Sequence, residues 1–307
     1  MILNIFFIVI GIVLVLWGAD RLTDGAVAVA EKMKMPQIVI GLTIVAMGTS
    51  MPEFCVSLIS ALKGTSDLAV GNIVGSNIFN TLLIVGVSAL VAPMSIMKTT
   101  VRKDIPFALV ASTLLLIMCL DGDISRIDAA ILFVMFLIFM YITLRGAKAQ
   151  GTDLEEKEKK PMATWLSIVW ILVGLACLIG GSNLFVDGAT AVATKIGVSE
   201  AVIGLTIVAG GTSLPELATS VVSARKGNSG IAIGNVLGSN VFNILAILGL
   251  TGVISPMTLK GITMTDLSMM VISVILIWLF SFTKYKIERW EGAILTAVFV
   301  GYIYSLL

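Results

Sequence analysis

The chain has 307 residues, 58% of them hydrophobic and 13% charged, with a formal net charge of +1. Soluble domains carry about 25% charged residues, so a polytopic membrane protein is expected, and the lack of a basic patch argues against a nucleic-acid partner. There is no histidine, which removes His-based zinc sites, Ser/His or Cys/His nucleophile pairs and His proton relays together.

The opening MILNIFFIVIGIVLVLW lacks a basic n-region and reads as a retained first span, not a cleaved signal peptide. A helix needs about 20 apolar residues to cross a bilayer. Such stretches fall at 2–18, 37–62, 70–92, 104–121, 127–145, 163–184, 199–224, 233–255, 265–283 and 288–306, ten helices with five in each half. The first is expected to run on past the bilayer, because residues 19–34 contain no breaker. Cys55, Cys119 and Cys177 lie in apolar runs without a CxxC pair and read as packing residues.

Residues 38–86 recur at 201–249. A shift of 163 aligns the two stretches without a gap, and 30 of 49 positions are identical. The matches include Gly48-Thr49-Ser50, Pro52, Glu53, Asn72, Gly75-Ser76-Asn77 and Asn80, paired with Gly211-Thr212-Ser213, Pro215, Glu216, Asn235, Gly238-Ser239-Asn240 and Asn243. The chain thus divides into a first five-helix repeat over 1–145, a short charged linker over 146–162 and a second five-helix repeat over 163–307. With the N-terminus outside, cytoplasmic loops hold sixteen Lys and Arg residues and outer loops only Lys63, Arg126, Lys195 and Lys260. The positive-inside rule therefore puts both termini outside the cell membrane and the linker in the cytoplasm. Homologous units with an odd number of helices must enter the membrane in opposite senses. Inverted repeats of this kind are an architecture of secondary transporters, with the site near the midplane where broken helices meet.

The motif around Pro52 predicts that break. Proline cannot donate to the Gly48 carbonyl and its ring crowds it, so free carbonyls are expected at about Ala46 to Gly48. Thr49 and Glu53 are four residues apart and share a face, with Ser50 three from Glu53. Ala209, Thr212, Ser213 and Glu216 repeat the set. A carboxylate at the bilayer centre costs on the order of 2.5–3.5 kcal/mol even on the mild insertion scale and is a functional candidate by default. No Lys or Arg lies in these spans to pair with Glu53 or Glu216, so both read as cation ligands. Ser76 and Asn80, and Ser239 and Asn243, sit one helical repeat apart and extend the ligand set with neutral oxygens. Gly71-xxx-Gly75 and Gly234-xxx-Gly238 match the small-residue pattern of helix contacts, and Asn72, Asn77, Asn235 and Asn240 are open between ligand duty and bridging helices. Two carboxylates among neutral oxygens suit a hard cation such as Ca2+, which takes 6–8 oxygen ligands, with Na+ at neighbouring positions. Soft transition metals find no thiolate or imidazole.

GTSMPE with GNIVGSNIFN, and GTSLPE with GNVLGSNVFN, resemble the paired alpha-repeats of the calcium/cation antiporter superfamily, in its sodium/calcium exchanger branch. The resemblance implies an all-α membrane fold of ten helices in two inverted-topology halves, exchanging Ca2+ for Na+ by alternating access. It assigns a central calcium site to Glu53, Glu216 and the side chains and carbonyls of Thr49 and Thr212. Sodium sites would use Ala46 with Ser76, and Ala209 with Ser239. Asn80 and Asn243 would complete the centre, with Ser50 and Ser213 close by. Several members carry Asp at the position of Asn243. The amide here removes a negative charge and argues against K+ co-transport, while the GTSxPE form favours Na+ over H+. A large regulatory loop of eukaryotic members is replaced by about 16 residues.

An antiporter is accordingly the leading reading, with the first and sixth spans sliding as the gate. H+/Ca2+ or K+-dependent exchange at the same site is the near alternative, and a cation channel using the Glu pair as a selectivity element a more distant one. An intramembrane hydrolase lacks its His, zinc motif or Ser/Lys pair, so no enzyme activity is expected. No cofactor and no partner protein are implied; the partners are Ca2+, Na+ and the lipid bilayer. Asp20, Asp24 and Asp187 read as helix-end or vestibule charges.

Overall fold

The computed structural model describes residues 2–149, 162–197 and 209–306. The first helix, α1 (Ile2–Lys32), runs unbroken for 31 residues, longer than a bilayer requires, as the absence of a breaker predicts. In the turn after it, Lys34 takes a positive φ of 51° ahead of Pro36. The next span is bent by 49° between α2 (Gln37–Thr49) and α3 (Met51–Leu62). Helix α4 (Ser66–Val91) leads to strand β1 (Met94–Ser95), α5 (Thr100–Asp121), β2 (Asp123–Ile124) and α6 (Arg126–Ala149).

The second half follows the same order. It comprises α7 (Thr164–Lys195), α8 (Ala209–Thr212), α9 (Leu214–Arg225), α10 (Ser229–Ile254), β3 (Met257–Thr258), α11 (Met264–Ser281), β4 (Lys286–Ile287) and α12 (Arg289–Leu306). Among the described residues seven helices are long and apolar enough to cross a membrane, or eight with the bent α2–α3 pair taken as one span. Of the expected seventh span, residues 199–208 lie outside the described residues. The expected tenth span is present as the 18-residue α12, which falls outside that count.

Strand pairing follows the internal shift. Met94 pairs with Ile287, and Ile124 pairs with Met257. Adding 163 to one ribbon's residue in the first half therefore yields the other ribbon's residue in the second. The 22-residue α5 joins β1 to β2, so about 33 Å of helix separates the two ribbons.

Helices α1 and α7 pack against each other with little side chain between them. A Cβ on Gly11 would stand 2.7 Å from the Gly181 carbonyl, one on Gly18 2.8 Å from the Gly174 carbonyl, and one on Gly25 2.7 Å from the Ser167 carbonyl. Partner numbers fall as those of α1 rise, so the pair is antiparallel, and its glycines recur every seventh residue in both helices. Small residues at this spacing let two backbones approach closely where no hydrophobic drive separates helix from lipid. The pair of Gly234 and Gly238 works likewise against α2, where added Cβ atoms would meet the Ile38 and Leu42 carbonyls at 2.6 Å.

The second half of α1 is tied to the end of α9 by charge. Lys226 Nζ lies 2.6 Å from Asp20 Oδ1 and 2.7 Å from Asp24 Oδ1. Arg21 also binds Asp20 at 2.5 Å and stacks over Trp17 and Trp170. Just inside, the hydroxyls of Thr23 and Ser223 meet at 3.0 Å, both buried. Of the cysteines, Cys119 is buried, whereas Cys55 is exposed. The packing role expected of Cys55 is therefore corrected: its face of α3 points outward.

Candidate ion-binding site

Local sequence explains how Glu53 and Glu216 reach the interior. Pro52 and Pro215 occupy the first turns of α3 and α9, where a missing N–H costs nothing. Each Glu follows its proline directly, so both carboxylates sit at helix N-termini, where the dipole favours negative charge. Each is 1% exposed. The break falls at Ser50, with φ −83° and ψ 10°, slightly later than expected. This corrects one expectation: the Ala46 carbonyl is not free, since it accepts from the Ser50 N–H at 3.0 Å and the Thr49 hydroxyl at 3.3 Å.

The two halves then exchange partners. Ser50 Oγ donates to Glu216 Oε1 at 2.9 Å, and Ser213 Oγ donates to Glu53 Oε1 at 3.1 Å. Ser213 also lies 3.3 Å from the Ser76 hydroxyl. Thr49 and Thr212 sit against Glu216 and Glu53 respectively, and Thr49 Oγ1 reaches Asn235 Oδ1 at 3.1 Å. Ser239 lies beside Glu216. Ala46 is buried on α2, and Ala209 opens the described part of the matching segment.

Each carboxylate therefore has one oxygen bonded across the halves and one, Oε2, buried without a hydrogen-bond partner. Asn80 Oδ1, Asn243 Oδ1 and Ser239 Oγ are buried and unpartnered too. An unpartnered buried polar atom costs about 1–3 kcal/mol, more if charged, which makes these five oxygens candidate ligands for a cation. All five belong to residues the sequence singled out. Among the described residues no Lys or Arg forms an ion pair with either Glu.

Asn72 and Asn235, left open by the sequence, turn out to support the site from behind. Asn72 Nδ2 donates to the Glu53 carbonyl at 3.2 Å and to Ser57 Oγ at 3.0 Å; Asn235 Nδ2 donates to the Glu216 carbonyl at 3.2 Å and to Ser220 Oγ at 2.9 Å. Ser57 and Ser220 were not foreseen as part of this backing, and only their places at equivalent positions of the repeat could have pointed to them. The helices carrying Asn80 and Asn243 widen there into π turns, Phe79–Ile84 and Phe242–Leu248. Such turns recur at functional sites, and no residue pattern in the sequence announced them.

These features define a multi-pass helical membrane protein with two carboxylates buried at its centre. The family model described as "Sodium/calcium exchanger protein" matches residues 3–145 and 166–307, and the chain belongs to that family. The chain is 36% identical to the inner membrane protein YrbG of Escherichia coli, covering 100% of this chain and 97% of YrbG. It is 32% identical to the sodium/calcium exchanger MaX1 of Methanosarcina acetivorans, covering 99% and 98% of the two chains. A solved structure of the sodium-calcium exchanger NCX_Mj superposes with a TM-score of 0.88 at 31% identity, covering 100% of this chain and 99% of that one.

Proposed function

We propose that this chain is a secondary antiporter that exchanges Ca2+ for Na+ across the cell membrane by alternating access. The observation that carries the reading is the buried carboxylate pair, each Glu held by the other half's serine and each presenting a bare oxygen. Two ionised Glu side chains neutralise one Ca2+, and Na+ replaces it on the same and neighbouring oxygens. Glu53, Glu216, Thr49, Thr212, Asn80 and Asn243 form the central set. Ser76 with Ala46, and Ser239 with Ala209, form the flanking sodium sites, with Ser50 and Ser213 orienting the carboxylates. For Na+ to use the Ala46 carbonyl, the Thr49 hydroxyl must turn away from it. The ions are cargo, and neither a cofactor nor a catalytic residue enters the scheme.

The architecture we infer is ten spans in two inverted halves, 1–145 and 163–307, joined by the linker 146–162. The strand ribbons support the inversion: the internal shift carries β1 onto β3, and these lie at opposite ends of α5. Both termini lie outside and the linker in the cytoplasm, on the balance of sixteen Lys and Arg against four.

The test is uptake of radiolabelled Ca2+ into proteoliposomes loaded with Na+ and diluted into Na+-free medium. Uptake driven by the outward Na+ gradient and lost in Glu53→Gln is the expected result. Uptake that ignores Na+ and follows an imposed pH gradient would establish proton exchange instead, a K+ requirement would add K+ as co-substrate, and uptake needing no counter-ion would indicate a channel.

A further inference from the structure

Glu53 and Glu216 present an oxygen whichever way their carboxylates turn. Asn80 and Asn243 do not: an amide has an oxygen at one end and an NH2 group at the other. Flipped, it would aim two N–H donors at a cation. Something must decide which end is left open.

Two hydrogen-bond chains settle this, and each ends on a backbone carbonyl, which can only accept. In the first, Thr81 Oγ1 donates to the Asn77 carbonyl at 2.7 Å, so its lone pairs must accept from Asn240 Nδ2 at 2.6 Å. Asn240 Oδ1 is thereby turned toward Asn80 and accepts from its Nδ2 at 3.2 Å, which leaves Asn80 Oδ1 open. In the second, Asn77 Nδ2 donates to the Asn240 carbonyl at 3.3 Å, and Asn77 Oδ1 accepts from Asn243 Nδ2 at 3.1 Å. Asn243 Oδ1 is left open in turn. Asn77, Asn80, Thr81, Asn240 and Asn243 are each at most 1% exposed, so water does not compete for these bonds.

We propose that Asn77 and Asn240 are positioning residues that hold the amides of Asn243 and Asn80 oxygen-first toward the transported cation. Neither binds the ion. The chains also differ between the halves, because Thr81 has Ile244 as its counterpart at the internal shift. The Asn80 amide is therefore set through the Thr81 hydroxyl, whereas the Asn243 amide is set through Asn77 and the Asn240 carbonyl alone. The proposal deepens the exchanger reading and rests on it.

A carboxylate at position 243 would need no orienting, which supplies the test. Half-saturation for Ca2+ uptake, together with calorimetric titration of the purified full chain with CaCl2, is measured for Asn77→Ala, Asn243→Asp and the double variant. Asn77→Ala is expected to weaken Ca2+ binding about tenfold, the upper end of what one neutral hydrogen bond contributes. In the Asn243→Asp background the same change is expected to cost less than about twofold. Equal losses in both backgrounds would mean that Asn77 serves packing only and would overturn the proposal. Thr81→Val, nearly isosteric, repeats the design with Asn80→Asp should Asn77→Ala not fold, with the same contrast expected and the same equality overturning it. Wild-type protein that binds Ca2+ in the calorimeter but shows no Na+-driven uptake would defeat the exchanger reading while leaving the relay testable by binding.

Discussion

Ser50 and Glu216 are 166 residues apart, yet the hydroxyl of one donates to Oε1 of the other at 2.9 Å. The bond crosses from the first half to the second, and Ser213 returns it to Glu53 at 3.1 Å. Reciprocal contacts of this form are what a two-fold relation between like units produces. Each carboxylate is thus positioned by the half to which it does not belong, and the site exists only when both halves are in register.

Removing one carboxylate should therefore end transport without unfolding the protein. Glu53→Gln and Glu216→Gln each retain an acceptor for the cross-half serine but lose a charged ligand. Ca2+ affinity is expected to fall by about a hundredfold or more, on the scale of 3 kcal/mol for a charged partner. Uptake with parallel thermal unfolding of the purified variant checks it.

The serines should act milder and in concert. Ser50→Ala or Ser213→Ala deletes one bond to a carboxylate that stays in place, so half-saturation is expected to rise about three- to tenfold, on a scale of roughly 1 kcal/mol. Ser213→Ala should do more than Ser50→Ala, because Ser213 also meets Ser76. A Ca2+ titration of the two single variants compares them directly.

Glycine substitutions should separate packing from chemistry. A Cβ at position 174 would lie 2.7 Å from the Leu22 nitrogen and 2.8 Å from the Gly18 carbonyl, backbone atoms that cannot rotate away. Gly174→Ala is expected to destabilise by about 1–3 kcal/mol. Gly301 has open space around its would-be Cβ on an exposed face of α12, and Gly301→Ala should stabilise by roughly 0.5–1 kcal/mol. Unfolding transitions in detergent read both.

Lys226→Met should loosen the second half of α1 from α9. The Lys226, Asp20 and Asp24 side chains are about a third exposed, so screening keeps the expected loss of stability within about 1 kcal/mol per pair. Raising ionic strength should shrink the difference from wild type, and melting curves at low and high salt measure it.

Much of this was legible in the chain itself. The 163-residue shift, the proline before each Glu and the missing breaker in α1 follow from residue chemistry and periodicity, which are local properties. What could not be read was which half completes which site. Ser50 sits three residues from Glu53 yet serves Glu216, because the bend at Ser50 redirects its side chain across the interface. Asn77 and Asn240 looked like either bridges or ligands, since an asparagine's role depends on which of its two ends is engaged. The link from Asp20 and Asp24 to Lys226 spans 202 residues or more, beyond any spacing rule.

That charged link also has no counterpart across the duplication. Asn183, Leu184, Asp187 and Lys63 stand where Asp20, Arg21, Asp24 and Lys226 stand, and among the described residues Lys63 and Asp187 form no ion pair. Two perfectly matched halves would spend equal time open to either side. A clasp that holds in only one of those two forms weights that form's population. A ligand that binds only the rarer form sees its affinity divided by that form's share. One set of oxygens can thus present two different working affinities to the two sides of a membrane, without any change in the ligands themselves.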